Sequence, residues 1–111
     1  MDALESYRNA VIQILQHISE IPDPSSDIRS EVICDRKNEH YLLMQIGWEG
    51  SRRIHGVLIH VDLIDGKCWI QHDGTERGIA EDLVAAGVPK DGIVLAFRPP
   101  QARKYTEYAA A

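Results

Sequence analysis

Cysteine is scarce in this chain: Cys34 and Cys68 are its two thiols in 111 residues. That number cannot supply the disulfide framework of a small secreted domain, and both lie in apolar runs where buried free thiols are expected. Long hydrophobic runs are missing as well. Nothing approaches the roughly 20 apolar residues that span a bilayer, and Asp2, Glu5 and Arg8 interrupt the stretch where a secretory leader would be apolar. A cytoplasmic protein without membrane contact is expected. Phosphate-cradling patterns (G-x-x-x-x-G-K, G-x-G-x-x-G), zinc spacings (H-E-x-x-H, paired C-x-x-C) and a glycine-flanked serine elbow are all lacking. Positive charge is in deficit, with 12 Lys and Arg against 17 Asp and Glu and a net charge of −5. A stand-alone reader of DNA is usually basic over at least one stripe, so this balance argues against direct nucleic-acid contact. What remains, 44% hydrophobic and 26% charged residues, is the composition of one globular domain spanning 1–111.

The first segment has helical periodicity. Leu4, Tyr7, Val11, Ile14, Leu15 and Ile18 recur every three or four residues and predict an amphipathic helix from Ala3 to Ser19. Asp2 is its expected N-cap, with Glu5 three residues on. Pro22 and Pro24, followed by Ser25, Ser26 and Asp27, predict a linker.

From Ile28 to Asp73 the period changes to two, and four strands are expected over 28–36, 40–48, 53–64 and 67–73. Asp65-Gly66 is a hairpin signal because a type I′ turn needs positive φ at both positions. Gly50-Ser51 is a second two-residue turn and Lys37-Asn38-Glu39 a looser third. Turn positions fix register. A Gly50-Ser51 turn pairs Met44 with Val57 and Leu42 with Ile59; an Asp65-Gly66 turn pairs Val61 with Ile70 and Leu63 with Cys68. Both registers converge on one core face: Leu42, Met44, Ile46, Val57, Ile59, Val61, Leu63, Cys68 and Ile70. After the meander, Thr75 is an expected N-cap for a helix carrying Ile79, Ala80, Leu83 and Val84, ended by Gly87 and Pro89. Ile93–Phe97 is a short strand reached through that crossover helix. Pro99-Pro100 closes it, and a helical tail, 101–111, is expected to dock through Tyr105 and Tyr108. The fold class is α+β.

The opposite face of the expected sheet carries Tyr41, Leu43, Ile54, Leu58, His60, Asp62, Trp69 and Gln71. A free second face is normally polar. Tyr41, Leu43, Leu58, His60, Asp62, Trp69 and Gln71 therefore define an expected partner-binding surface, covered by another protein or by the chain itself. His60-x-Asp62 invites a metal reading, but the register puts His72 opposite Ile59, with His40 and His55 also on the core side. No ligand set is assembled, so neither a metal nor a cofactor is implied. Either cysteine lies within a strand on an apolar face, and Glu81-Asp82 diverge on a helix, so no catalytic residue is assigned. Arg52, Arg53, Arg98, Arg103 and Lys104 are the cations available for phosphate contact. Arg53 falls opposite Trp48, where a cation–π pair explains it.

One ordered series has a wider meaning: Gly47-Trp48, Arg52-Arg53, Gly56, His60, Gly66-Lys67, Trp69-Ile70-Gln71, Thr75-Glu76, Ile79-Ala80, Leu83, Gly87-Val88-Pro89, Ile93-Val94-Leu95, Phe97, Arg103 and Thr106. It resembles the XisI family, the fdxN element excision controlling factor proteins of cyanobacteria, from Leu4-x-x-Tyr7 to Tyr108-Ala109. Ala96 in place of glycine before Phe97, and the double proline at 99–100, depart from the pattern. The resemblance implies a small α+β protein without catalytic activity, associated with DNA recombination: the programmed excision of a DNA element in heterocyst development, alongside a recombinase and a companion protein, XisH. It brings no catalytic residues.

These readings lead to an accessory or regulatory protein that is not an enzyme and acts by protein–protein interaction with an XisH-like partner. Two alternatives belong to other classes: a DNA-binding accessory factor using the five cations, and a small metal-dependent enzyme around His60 and Asp62. A homo-oligomer formed through the second sheet face is a further occupant of that surface.

Overall fold

In the computed structural model, which describes residues 2–21 and 27–111, the helical stripe forms α1, Ala3–Ser19. The Glu5 amide donates to the Asp2 carboxylate at 2.7 Å, so the expected N-cap is in place. The linker expected at Pro22 to Ser26 lies outside the described residues.

Four antiparallel strands follow: β1 (Ile28–Asp35), β2 (His40–Glu49), β3 (Arg52–Ile64) and β4 (Lys67–Asp73). A fifth, β5 (Ile93–Leu95), joins β4 in parallel, giving the order β1-β2-β3-β4-β5. The turns form where turn chemistry requires them. Asp65 and Gly66 take φ of 51° and 77°, the double positive of a type I′ turn, and Ile64 pairs with Lys67 across them. Glu49 pairs with Arg52 around Gly50-Ser51. Asp35 accepts from the Lys37 and Asn38 amides, each at 3.1 Å, to shape the first turn.

The register is correct near the turns and wrong beyond them. Met44 pairs with Val57, Val61 with Ile70 and Leu63 with Cys68, as expected. Leu43, not Leu42, pairs with Ile59, because Leu58 is an extra residue in β3. Leu42 instead faces His60. A second shift leaves Gln71 extra in β4, so His72 pairs with His60 rather than lying opposite Ile59.

A single-residue slip inverts the faces of everything beyond it. Tyr41 and Leu43 are accordingly fully buried, in the core with Ile59, Val61, Leu63, Cys68 and Ile70. Leu42, Met44, Ile46 and Val57, expected in the core, are only half-buried, on the opposite side. The buried tyrosine needs a partner for its hydroxyl. That group donates to Glu39 at 2.8 Å and accepts from Arg8 at 3.2 Å, with Arg8 also gripping the Glu39 carboxylate at 2.6 Å. Val11 and Leu15 of α1 close the core from the helix side, with Ile79, Leu83, Val88 and Ile93.

The crossover runs through α2, Ala80–Ala85, which starts after Ile79 rather than at Thr75. Asp73 organises the approach, accepting from the Thr75 amide at 3.0 Å and the Ile79 amide at 2.7 Å, while the Thr75 hydroxyl accepts from Gly78 at 3.0 Å. Thr75 thus supports the turn before the helix. Gly87, at φ 105°, ends α2, with Val88 N–H donating to the Leu83 carbonyl in a Schellman arrangement. β5 stops at Leu95, short of Phe97. The tail holds one helical turn, α3 (Pro100–Arg103), then Tyr108 packs on the core and Ala109 bridges Val94. Tyr105 does not dock; it is 81% exposed. Cys68 is buried but Cys34 is exposed, because β1 is an edge strand. Among the described residues, no helix is long and apolar enough to cross a membrane.

Candidate functional site on the open sheet face

α1 and α2 share one core with one side of the sheet, so the other side is where a site has room. The Leu58 bulge decides what this face presents. By strand alternation, β2 directs His40, Leu42, Met44, Ile46 and Trp48 to it, and their pairing brings Ile33, Val57 and His60 alongside. Ile33 is 45% and Trp48 48% exposed, a large apolar surface for a sheet face.

At the β2–β3 pair, His40 lies directly across from Asp62. Its Nδ1 is 2.6 Å from Asp62 Oδ1, and His60 Nε2 is 2.6 Å from the same oxygen. The Gln71 side-chain amide donates to Oδ2 at 3.2 Å. Asp62 is 7% exposed, and a buried carboxylate is tolerated only when such donors surround it. The rings stand 6.0 Å apart at 70°. The hydrogen bond to Asp62 lifts the His40 pKa above the ordinary imidazole value.

The expected partner-binding residues divide. Tyr41 and Leu43 are in the core and cannot meet a partner; the bulge moves them there. Leu58 packs partly against the core. Trp69 is half-buried, with the Arg103 guanidinium 5.5 Å over its ring, so the tail of the chain covers part of this face itself. His60, Asp62 and Gln71 form the polar cluster, which His40 joins against expectation. Sequence reasoning missed Ile33, Leu42, Met44 and Trp48. The run Tyr41-Leu42-Leu43-Met44 is apolar in both parities, so hydrophobicity alone could not choose between them. The signal that was available is polar: His40, His60 and Asp62 all share one face only with a slipped register.

The five cations have neighbours of their own. Arg52 is 3.7 Å from Glu49, Arg53 stacks 5.2 Å from the Trp48 ring as expected, and Arg98 stacks 5.8 Å from Phe97. Arg103 also donates to the Ala96 and Arg98 carbonyls at 3.1 Å, and Lys104 lies 5.2 Å from the Tyr105 ring. A groove of about 590 Å³ lies on the other side of the molecule, between α1 and the segment entering α2, lined by Ile14, His17, Ile18, Thr75 and Ile79 among others. Its titratable lining is His17 and the Arg77–Asp82 ion pair.

Comparison with known proteins completes the description. The XisI protein family model matches residues 1–110. A crystal structure of a XisI-like protein from Anabaena variabilis ATCC 29413 is 38% identical and superposes with a TM-score of 0.87, over 97% of this chain and 99% of that one. The fdxN element excision controlling factor XisI from the same organism is 30% identical, with a TM-score of 0.83 over 99% of this chain and 100% of that one. No curated protein matches the chain.

Proposed function

The chain belongs to the XisI family, and from that membership we propose that it is an accessory factor controlling excision of a DNA element. It acts in the cytoplasm through an XisH-like protein partner, without catalysing a reaction and without reading DNA itself. The excision role is carried over from the similar fdxN element excision controlling factor. The partner and the absence of catalysis rest on the family resemblance and on this chain's own surface.

One observation carries the partner reading: the open sheet face presents exposed Ile33 and Trp48 with half-buried Leu42 and Met44 between them, and a polar cluster at its side. Large apolar side chains beside a few fixed polar groups are the composition of an interface centre. The net charge of −5 and the neighbours of the five cations agree with a protein partner rather than a phosphate backbone.

A pull-down with the XisH-like companion tests this, using wild type, Leu42→Asp and Met44→Asp. A half-buried charge at either position disrupts an apolar interface, so both variants are expected to lose the companion while remaining folded by circular dichroism. Full retention by both variants removes this face from the interface.

A further inference from the structure

We propose that His40 Nδ1, His60 Nε2 and Asp62 Oδ1 form a binding site for a divalent first-row transition-metal ion of the zinc class. The site goes beyond the accessory role above and does not depend on it. Among the described residues, the donor atoms of this trio lie within 4.8 Å of one another. Two imidazole nitrogens approach one carboxylate oxygen, each at 2.6 Å. Two histidines and one carboxylate from adjacent strands make a three-ligand set that leaves coordination positions open.

Three further features favour an ion over a simple hydrogen-bonded cluster. The donors are nitrogen and carboxylate oxygen, which suit zinc, iron, cobalt or nickel; calcium and magnesium prefer all-oxygen sites. The second carboxylate oxygen is held by Gln71 at 3.2 Å, as an outer partner orients a ligating carboxylate. Exposure is graded: Asp62 is buried, whereas the His40 side chain is about half exposed and opens the site to solvent. The Leu58 bulge places His40 across from Asp62, beside His60 of the same strand, and bulges commonly re-aim side chains beside functional sites. Binding requires the two facing nitrogens to offer lone pairs, so each ring's proton moves to its other nitrogen, or is released if the ring is charged. The ion then bridges the three donors, which open slightly from hydrogen-bond separation to about 2.0–2.2 Å from the metal.

Calorimetric titration of the chelator-treated full chain with Zn²⁺ tests the site, with Co²⁺ absorption as a second readout. Saturation at one ion per chain is expected, with visible Co²⁺ bands showing nitrogen and oxygen ligation. His40→Ala and His60→Ala should each weaken binding by more than the roughly 10–100-fold seen when outer-shell partners are lost, and Gln71→Ala by about that much. His55→Ala and His72→Ala should leave it unchanged. Metal-free melting curves establish that each variant is folded; if Asp62→Asn is not, the two histidine variants decide. Absence of saturable binding by wild type overturns the proposal. So does binding that His40→Ala and His60→Ala leave intact.

Discussion

At the scale of single residues, environment separates groups that the sequence makes look alike. Cys34 and Cys68 both sit in apolar runs, yet one is exposed on an edge strand and the other is buried, with its thiol pushed up to about 12 by desolvation. The thiolate is the reactive form. Alkylation of the native protein near pH 8 should therefore modify Cys34 alone, and unfolding should release Cys68; rapid native labelling of both would contradict the packing of β4. Glu39 offers a second test. Its hydrogen bonds from Arg8, with a smaller contribution from the Tyr41 hydroxyl, hold its carboxyl below the usual range. A depressed folded-state value means the stabilisation is complete above the ordinary carboxylate pKa and is lost as pH falls through the folded-state value. Urea midpoints of wild type and Glu39→Gln should differ near neutrality and converge in acid. Gly47 shows a backbone constraint of another type: a Cβ there would lie 1.9 Å from the Asp27 carbonyl oxygen, which accepts from Trp48 N–H. Gly47→Ala should lower the melting temperature, at about 4–8 °C per kcal/mol lost.

At the scale of elements, the meander, the crossover, α1 and the end of α2 were legible because each has a local cause: Asp65-Gly66 for a turn, Gly87 for a helix end, a 3.6-residue stripe for α1. Face assignment over 40–44 was not legible from hydrophobicity, because a bulge is set by pairing between strands and leaves no mark in an apolar run; the polar trio His40, His60 and Asp62 was its one trace. The consequence is measurable. Leu43 is fully buried and Leu42 only half-buried. Leu43→Ala should cost about 2–5 kcal/mol, the usual range for a core leucine, and Leu42→Ala clearly less. A regular register without the Leu58 bulge predicts the reverse order. The same slip turns Tyr41 inward and His40 outward, so it determines both what holds β2 in the core and what the open face can bind. Tail docking was half legible: Tyr108 packs while Tyr105 stays in solvent, since only backbone geometry after Arg103 chooses between them.

At the scale of the whole molecule, the sheet has one side covered by helices and one side only partly covered by its own tail. Apolar residues on that open side, an acidic balance and cations engaged within the chain are the features on which the proposed protein partner rests. Under the proposed function, the shortage of positive charge leaves phosphate contacts to the companion rather than to this chain. The affinity of the XisH-like companion for wild type and for Leu42→Asp, both shown to be folded, is the most direct measurement. The interface on the open face predicts that the charged variant binds at least about tenfold more weakly, a loss of roughly 1.4 kcal/mol. Equal affinities would contradict it.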